Sequence, residues 1–169
     1  MATPMLAGLL KVAASDPKLK GMISHMGEDL HITGVDQSRP WALGTLAHHA
    51  PVLVVTATSR EAEDLTAELT AMLGEKVAMF PAWETLPHER LSPGVDIIGR
   101  RAEVLHNLDR LQVIVTAARG LSQPILKEVE GRAPVHLEED HEYDFDEVVR
   151  ELEFLSLIHI SEPTRLGMI

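Results

Sequence analysis

PVLVVTAT, residues 51–58, runs from Pro51 through four consecutive aliphatic side chains before its first hydroxyl at Thr56. The run does not alternate apolar with polar residues, so neither face of the strand it forms is suited to water. Such strands belong to parallel sheets covered on both faces. A parallel neighbour cannot be reached by a tight turn and needs a crossover, ordinarily a helix. REAEDLTAELTAMLG, residues 60–74, supplies one. It carries Ala62, Leu65, Leu69 and Leu73 as an inward stripe, takes Ser59 as its N-cap and stops at Gly74.

The same alternation continues downstream. KVAMF (76–80) is the next strand, VDIIGRRAEVLHNL (95–108) a helix with Ile98, Ala102, Leu105 and Leu108 on one side, and LQVIVTA (111–117) a further buried strand. Strands alternating with helices of this length call for an α/β domain with a parallel sheet and flanking helices. Upstream, DLHITGV (29–35) reads as a first strand and RPWALGTLAHHA (39–50) as a helix opened by Pro40. Before these, Leu6, Leu9, Leu10 and Ala13 stand at helical spacing, and Ser15 or Asp16 precedes Pro17 as a cap, which gives two short helices.

After LSQPILKEVEGRAP (121–134) the pattern changes. PVHLEEDHEYDFDEVVRELEF reads as a strand, an acidic turn and an amphipathic helix begun at Asp144. The expected organisation is therefore N-terminal helices over 1–29, an α/β domain over 30–124, and the truncated start of a second, small α+β domain over 125–154. LSLIHISEPTRLGMI, residues 155–169, fits none of this. Leu155 to Arg165 resembles, codon for codon, the translation of a transposase adaptor used in sequencing libraries. The natural gene is accordingly expected to stop being represented near Phe154, and no function is assigned to His159 or Ser161.

Composition narrows the function. The 169 residues carry 26 acidic and 15 basic side chains, a formal net charge of −11, and no cysteine. Disulfides and thiolate metal sites are excluded. The acidic balance opposes a free-standing nucleic-acid binder, because phosphate contacts need clustered Lys and Arg, and it makes a protein partner the better expectation. No run is long enough for a membrane span, and MATPMLAGLLKVAA lacks a basic leader segment, so a cytoplasmic protein is expected.

Catalytic signatures are missing. A phosphate loop would follow the first strand as G-x-x-x-x-G-K-[ST], whereas this chain runs Thr33-Gly34-Val35-Asp36-Gln37-Ser38-Arg39-Pro40. It lacks the lysine and the Mg²⁺-binding hydroxyl after it, and Asp36 would repel the anion. Among the nine histidines, His48 and His49 are adjacent and diverge on a helix, and His88-Glu89 has no second histidine to complete a zinc motif. His136 and His141 fall in an acidic loop. No G-x-S-x-G elbow places a serine nucleophile. The expectation is no catalytic, cofactor-binding or metal residue.

FPAWETLPHERLSP, Phe80 to Pro93, interrupts the alternation with three prolines. It can neither pair as a central strand nor continue as a helix and is read as a rigid surface loop, with Trp83 and Leu86 packed against the sheet. Arg100, Arg101 and Arg110 stand near Arg90 as the one basic cluster. Either they form a solvated face balanced by Glu89, Asp96 and Glu103, or Trp83, Glu84, His88, Arg90, Arg100 and Arg101 make a surface or interdomain contact.

The stretch VAMFPAWETLPHERLSPGVDIIGRRAEVLHNL, followed by QVIVTAARGLSQPI, resembles the N-terminal region of the bacterial transcription-repair coupling factors, the Mfd family. The W-E-T-L-P signature and the S-P-x-x-D-I-I-x-x-R spacing carry the resemblance, which covers Leu30 to Phe154. It implies a degenerate RecA-like, P-loop-NTPase-like domain similar to the damage-verification protein UvrB, without a working Walker A loop, followed by the start of a UvrA-binding domain. It implies for the parent an ATP-driven DNA translocase, with ATP and Mg²⁺ in its motor domains, that displaces stalled RNA polymerase and recruits UvrA. The piece itself would be a non-catalytic interaction or autoinhibitory module that binds DNA weakly if at all. In UvrB the equivalent position holds a long aromatic-rich hairpin that grips DNA; here Trp83 is the loop's only aromatic, too few for a stacking clamp. The other reading is an acidic protein-interaction domain unrelated to repair.

Overall fold

A computed structural model of the chain describes residues 4–83, 94–125, 137 and 141–154. Its centre is a three-stranded parallel sheet of β1 (Val52–Thr56), β2 (Val77–Phe80) and β3 (Val113–Ala117), in the order β1-β3-β2. Helix α4 (Ser59–Leu73) connects β1 to β2, and α5 (Val95–His106) lies between β2 and β3. The α/β class with a parallel sheet and flanking helices is thus the observed one.

Register explains the core. Val52, Val113 and Val77 stand side by side, as do Val54, Val115 and Met79. Residues two apart share a face, so these six form one apolar surface. Onto it pack Ala62, Leu65, Leu69, Met72 and Leu73 of α4, Leu10 of α1 (Ala7–Ala13) and Ala47 of α3 (Arg39–Ala47). Val113 and Val115, on the central strand, are fully buried. The opposite face is unevenly covered. α5 lies against β2, whereas Leu53 and Val55 of β1 remain 55% and 45% exposed. The sequence expects β1 to be buried on both faces. Among the described residues it packs on one face, where Val52 and Val54 lie partly buried against the core, and the face carrying Leu53 and Val55 stays exposed beside the five-residue α6 (Ala118–Ser122).

Local signals set most boundaries. Asp16 caps α2 (Pro17–Ser24), its Oδ1 accepting from the amides of Lys18 at 2.8 Å and Leu19 at 3.3 Å, with Pro17 in the first turn. Helix α4 is capped by Thr58 rather than Ser59: Thr58 is extended and its Oγ1 accepts from the Glu61 amide at 3.2 Å, while Ser59 is already helical. Gly74 ends α4 at φ 67°, a conformation open to glycine. Asp144 starts α7 (Phe145–Phe154) by accepting from the amides of Asp146 and Glu147 at 2.9 and 3.2 Å.

Two further expectations change. Residues 29–35 form no strand, and Leu30, Ile32 and Val35 are 45%, 56% and 70% exposed. A strand is held by its ladder, and no described strand pairs with this segment. The inner face of α5 is also one residue off the expected stripe. Ile97, Arg101 and Val104 are buried, Ile98, Ala102 and Leu105 are half-buried, and Leu108 is outside the helix and exposed. The strand expected at Pro134 to Glu139 and the loop Glu84 to Pro93 fall, apart from Leu137, outside the described residues.

Candidate functional site at the C-terminal edge of the sheet

Open α/β sheets take their ligands beyond the carboxyl ends of the strands. Here the exits of β2 and β3 are drawn together there. The Thr116 hydroxyl donates to the Phe80 carbonyl at 2.8 Å. Gly120, in the middle of α6, sits so close that a Cβ would meet Thr116 Oγ1 at 2.6 Å and the backbone of Phe80 and Ala82 at 3.4 Å. After β2, Pro81 has no N–H to continue a ladder. The side chain of Gln123 takes over, its Oε1 accepting from the Trp83 amide at 2.6 Å and its Nε2 donating to the Trp83 carbonyl at 3.3 Å.

Arg101 fills the space between these exits. It projects from α5 with only 3% of its surface exposed. Its Nη1 donates to the Pro81 carbonyl at 2.7 Å and its Nη2 to the Pro124 carbonyl at 3.4 Å. The guanidinium carbon lies 4.1 Å from the centre of the Phe80 ring and 4.3 Å from that of Trp83. A planar, weakly hydrated cation suits such a cage, since it can face rings and fork to carbonyls at once. Burial pulls its pKa below the usual arginine value through desolvation, and an arginine so shifted still keeps its proton in water near neutrality.

The second place to look for a ligand is the start of α3, where a phosphate loop would deliver its anion. Arg39, in the first turn, pairs with Glu61 and lies 3.6 Å from Asp36. Glu61 also accepts from the Ala57 amide at 3.3 Å beside the N-cap of α4, close to a capping box. Its carboxyl is held below the usual glutamate range, first by the hydrogen bond from Arg39 and then by that backbone amide, against a partial opposing effect of burial. The surrounding open depression of about 380 Å³ is lined by Asp36, Arg39, Arg60, Glu61, Asp64 and Glu68 among others. Four carboxylates against two guanidiniums make it a poor host for phosphate.

Of the residues singled out in the sequence, the structure brings Trp83 and Arg101 together. Arg101 is an interior group, whereas its neighbours Arg100 and Arg110 are exposed, so the apparent basic cluster divides between the two faces of α5 and the turn after it. Glu84, His88 and Arg90 lie outside the described residues. Phe80, Gln123 and Gly120 were not singled out. Among the described residues no group of three or more His, Asp or Glu is placed to hold a metal ion, and no helix is long and apolar enough to cross a membrane.

No family model matches the chain. In an alignment 174 positions long that covers 96% of the chain, it is 38% identical to the transcription-repair-coupling factors of Mycobacterium bovis and Mycobacterium tuberculosis. Over 56 residues, 33% of its length, it is 39% identical to the protein of the same name from Haemophilus influenzae. The chain spans 14% of the length of the mycobacterial relatives, and the 56-residue stretch spans 5% of the other. A match over 96% of the chain is more than residues 1–154 can supply, so the similar stretch runs past Phe154 into the tail.

Proposed function

We propose, from the premise that the chain belongs to the transcription-repair-coupling factors and represents part of their N-terminal region, that it is a non-catalytic docking module of a larger repair protein. The observation that carries this reading is the caged Arg101: the edge of the sheet where this fold class would bind a small molecule is filled by the protein's own side chains. The Arg39–Glu61 pair at the start of α3 supports it, since the position of a phosphate is taken by a carboxylate of the chain. ATP and Mg²⁺ then belong to motor domains elsewhere in the parent, and RNA polymerase and UvrA are partners of the whole. The 30–124 unit serves as a scaffold with an interdomain or autoinhibitory role, and residues 125–154 open the segment that meets UvrA. With a net charge of −11, the piece binds duplex DNA weakly at physiological salt.

The test compares UvrA retention by this chain and by a version continued through the natural gene. α7 presents Phe145 at 78% exposure, with Val148 and Val149 half-buried, an apolar stripe suited to packing against further structure. Retention only by the longer version is expected. Equal retention by both would place the docking surface within residues 30–154 and remove the assignment to the second domain.

A further inference from the structure

Two segments leave the sheet side by side, Pro81 to Trp83 after β2 and Gln123 to Ile125 after α6. They are 40 residues apart in sequence, and both contain a proline that cannot donate to a ladder, Pro81 and Pro124. Backbone pairing therefore gives way to side chains at this point. Gln123 imitates a neighbouring strand for Trp83, and Arg101 joins the Pro81 and Pro124 carbonyls while lying between two rings that belong to β2 and its exit.

We propose that Arg101 is a positioning residue that acts as an internal ligand, fastening both exits to α5 so that displacement of one is delivered to the other. The proposal rests on this geometry and is independent of the docking function. Three features of the site require a guanidinium. Two carbonyls on different segments must be reached by separate N–H groups, two aromatic faces must be met by a flat cation, and the group must lose its water. Lysine offers a strongly hydrated point charge that cannot satisfy all three together. Truncation to alanine leaves the two carbonyls and the two rings facing a space shaped for a planar cation, so a small free guanidinium becomes a ligand for the truncated protein.

The full chain labelled with 5-fluorotryptophan gives one ¹⁹F resonance each for Trp41 and Trp83, assigned with Trp83→Phe. Trp41 packs against the core on the other side of the sheet and serves as an internal control. Arg101→Ala is expected to shift the Trp83 resonance and leave that of Trp41 in place. Millimolar methylguanidinium should return the Trp83 resonance to its original position, and methylammonium at equal ionic strength should not. Gln123→Ala should displace the same resonance, and the double variant should depart from additivity, as groups acting on one unit do. If Arg101→Ala is too unstable to isolate, Arg101→Lys carries the test, with a displaced Trp83 resonance expected. An unchanged Trp83 resonance in either variant, equal displacement of both tryptophans, or equal rescue by methylammonium would overturn the proposal.

Discussion

Two arginines stand where an α/β protein could hold a ligand, and they are held by opposite physics. Arg39, at the start of α3, is 46% exposed and answers a carboxylate in water. Arg101, at the C-terminal edge of the sheet, is 3% exposed and is answered by carbonyls and aromatic faces. The exposed pair is screened by solvent and salt and contributes little to stability. The buried cation has given up its hydration, so whatever disturbs its cage leaves desolvated polar groups behind. What matters for the fold is thus not which arginine has the better charge partner but which can no longer return to water.

The largest effect that separates the two is expected at Arg101. Arg101→Ala removes contacts with two rings and two hydrogen bonds from the interior, and a loss of about 2–4 kcal/mol is expected from typical magnitudes for such groups. Urea unfolding at neutral pH measures it; a loss no larger than that of Arg39→Ala would erase the distinction. Next comes Gly120→Ala, where the new methyl group meets Thr116 Oγ1 at 2.6 Å and two backbone atoms at 3.4 Å. Overpacking of this kind costs about 1–3 kcal/mol, and it should weaken the Thr116–Phe80 hydrogen bond, visible as faster amide exchange along β2. A neutral effect would show that β2 and α6 are not held as closely as described.

Sequence legibility follows the same division. β1, α4 and β3 are readable because an unbroken apolar run and a clean i, i+3, i+4 stripe have few other solutions; Ala62, Leu65, Leu69 and Leu73 are all buried as expected. Helix α5 is misread by one residue for a physical reason. Its buried face is Ile97, Arg101 and Val104, and a charged residue in the middle of that triplet reads as solvent-facing, which moves the stripe onto Ile98, Ala102 and Leu105. Gln123 has no local signature at all, since its partner is 40 residues distant. The segment 29–35 has the composition of a strand but no described neighbour to make it one. The family, by contrast, is legible in W-E-T-L-P and the residues after it.

Smaller effects belong to the exposed side of the comparison. Thr58→Ala removes the cap of α4 and should cost about 1 kcal/mol, whereas Ser59→Ala should be nearly neutral; the reverse order in thermal melts would restore Ser59 as the cap. Least of all is the contribution of Arg39 and Glu61. Because the Glu61 carboxyl is held below its ordinary value by Arg39, its contribution is present above the unfolded glutamate pKa and is lost as pH falls through the folded one. The melting temperatures of wild type and Glu61→Gln should therefore differ slightly at neutral pH, less in high salt, and converge in acid. Divergence toward acid would reverse the sign and contradict the ion pair.

The interior position of Arg101 can be observed directly by ¹⁵N-edited NMR of the arginine side chains at neutral pH. Enclosed between Phe80 and Trp83, its guanidinium protons should resonate upfield of those of the other arginines, because ring currents shield nuclei lying over an aromatic face. They should also exchange slowly with water, because the group is desolvated and bonded to two carbonyls. An Arg101 signal that coincides with those of Arg100 and Arg110, with the same rapid exchange, would mean that the cation lies in solvent and that the C-terminal edge of the sheet is open to a ligand.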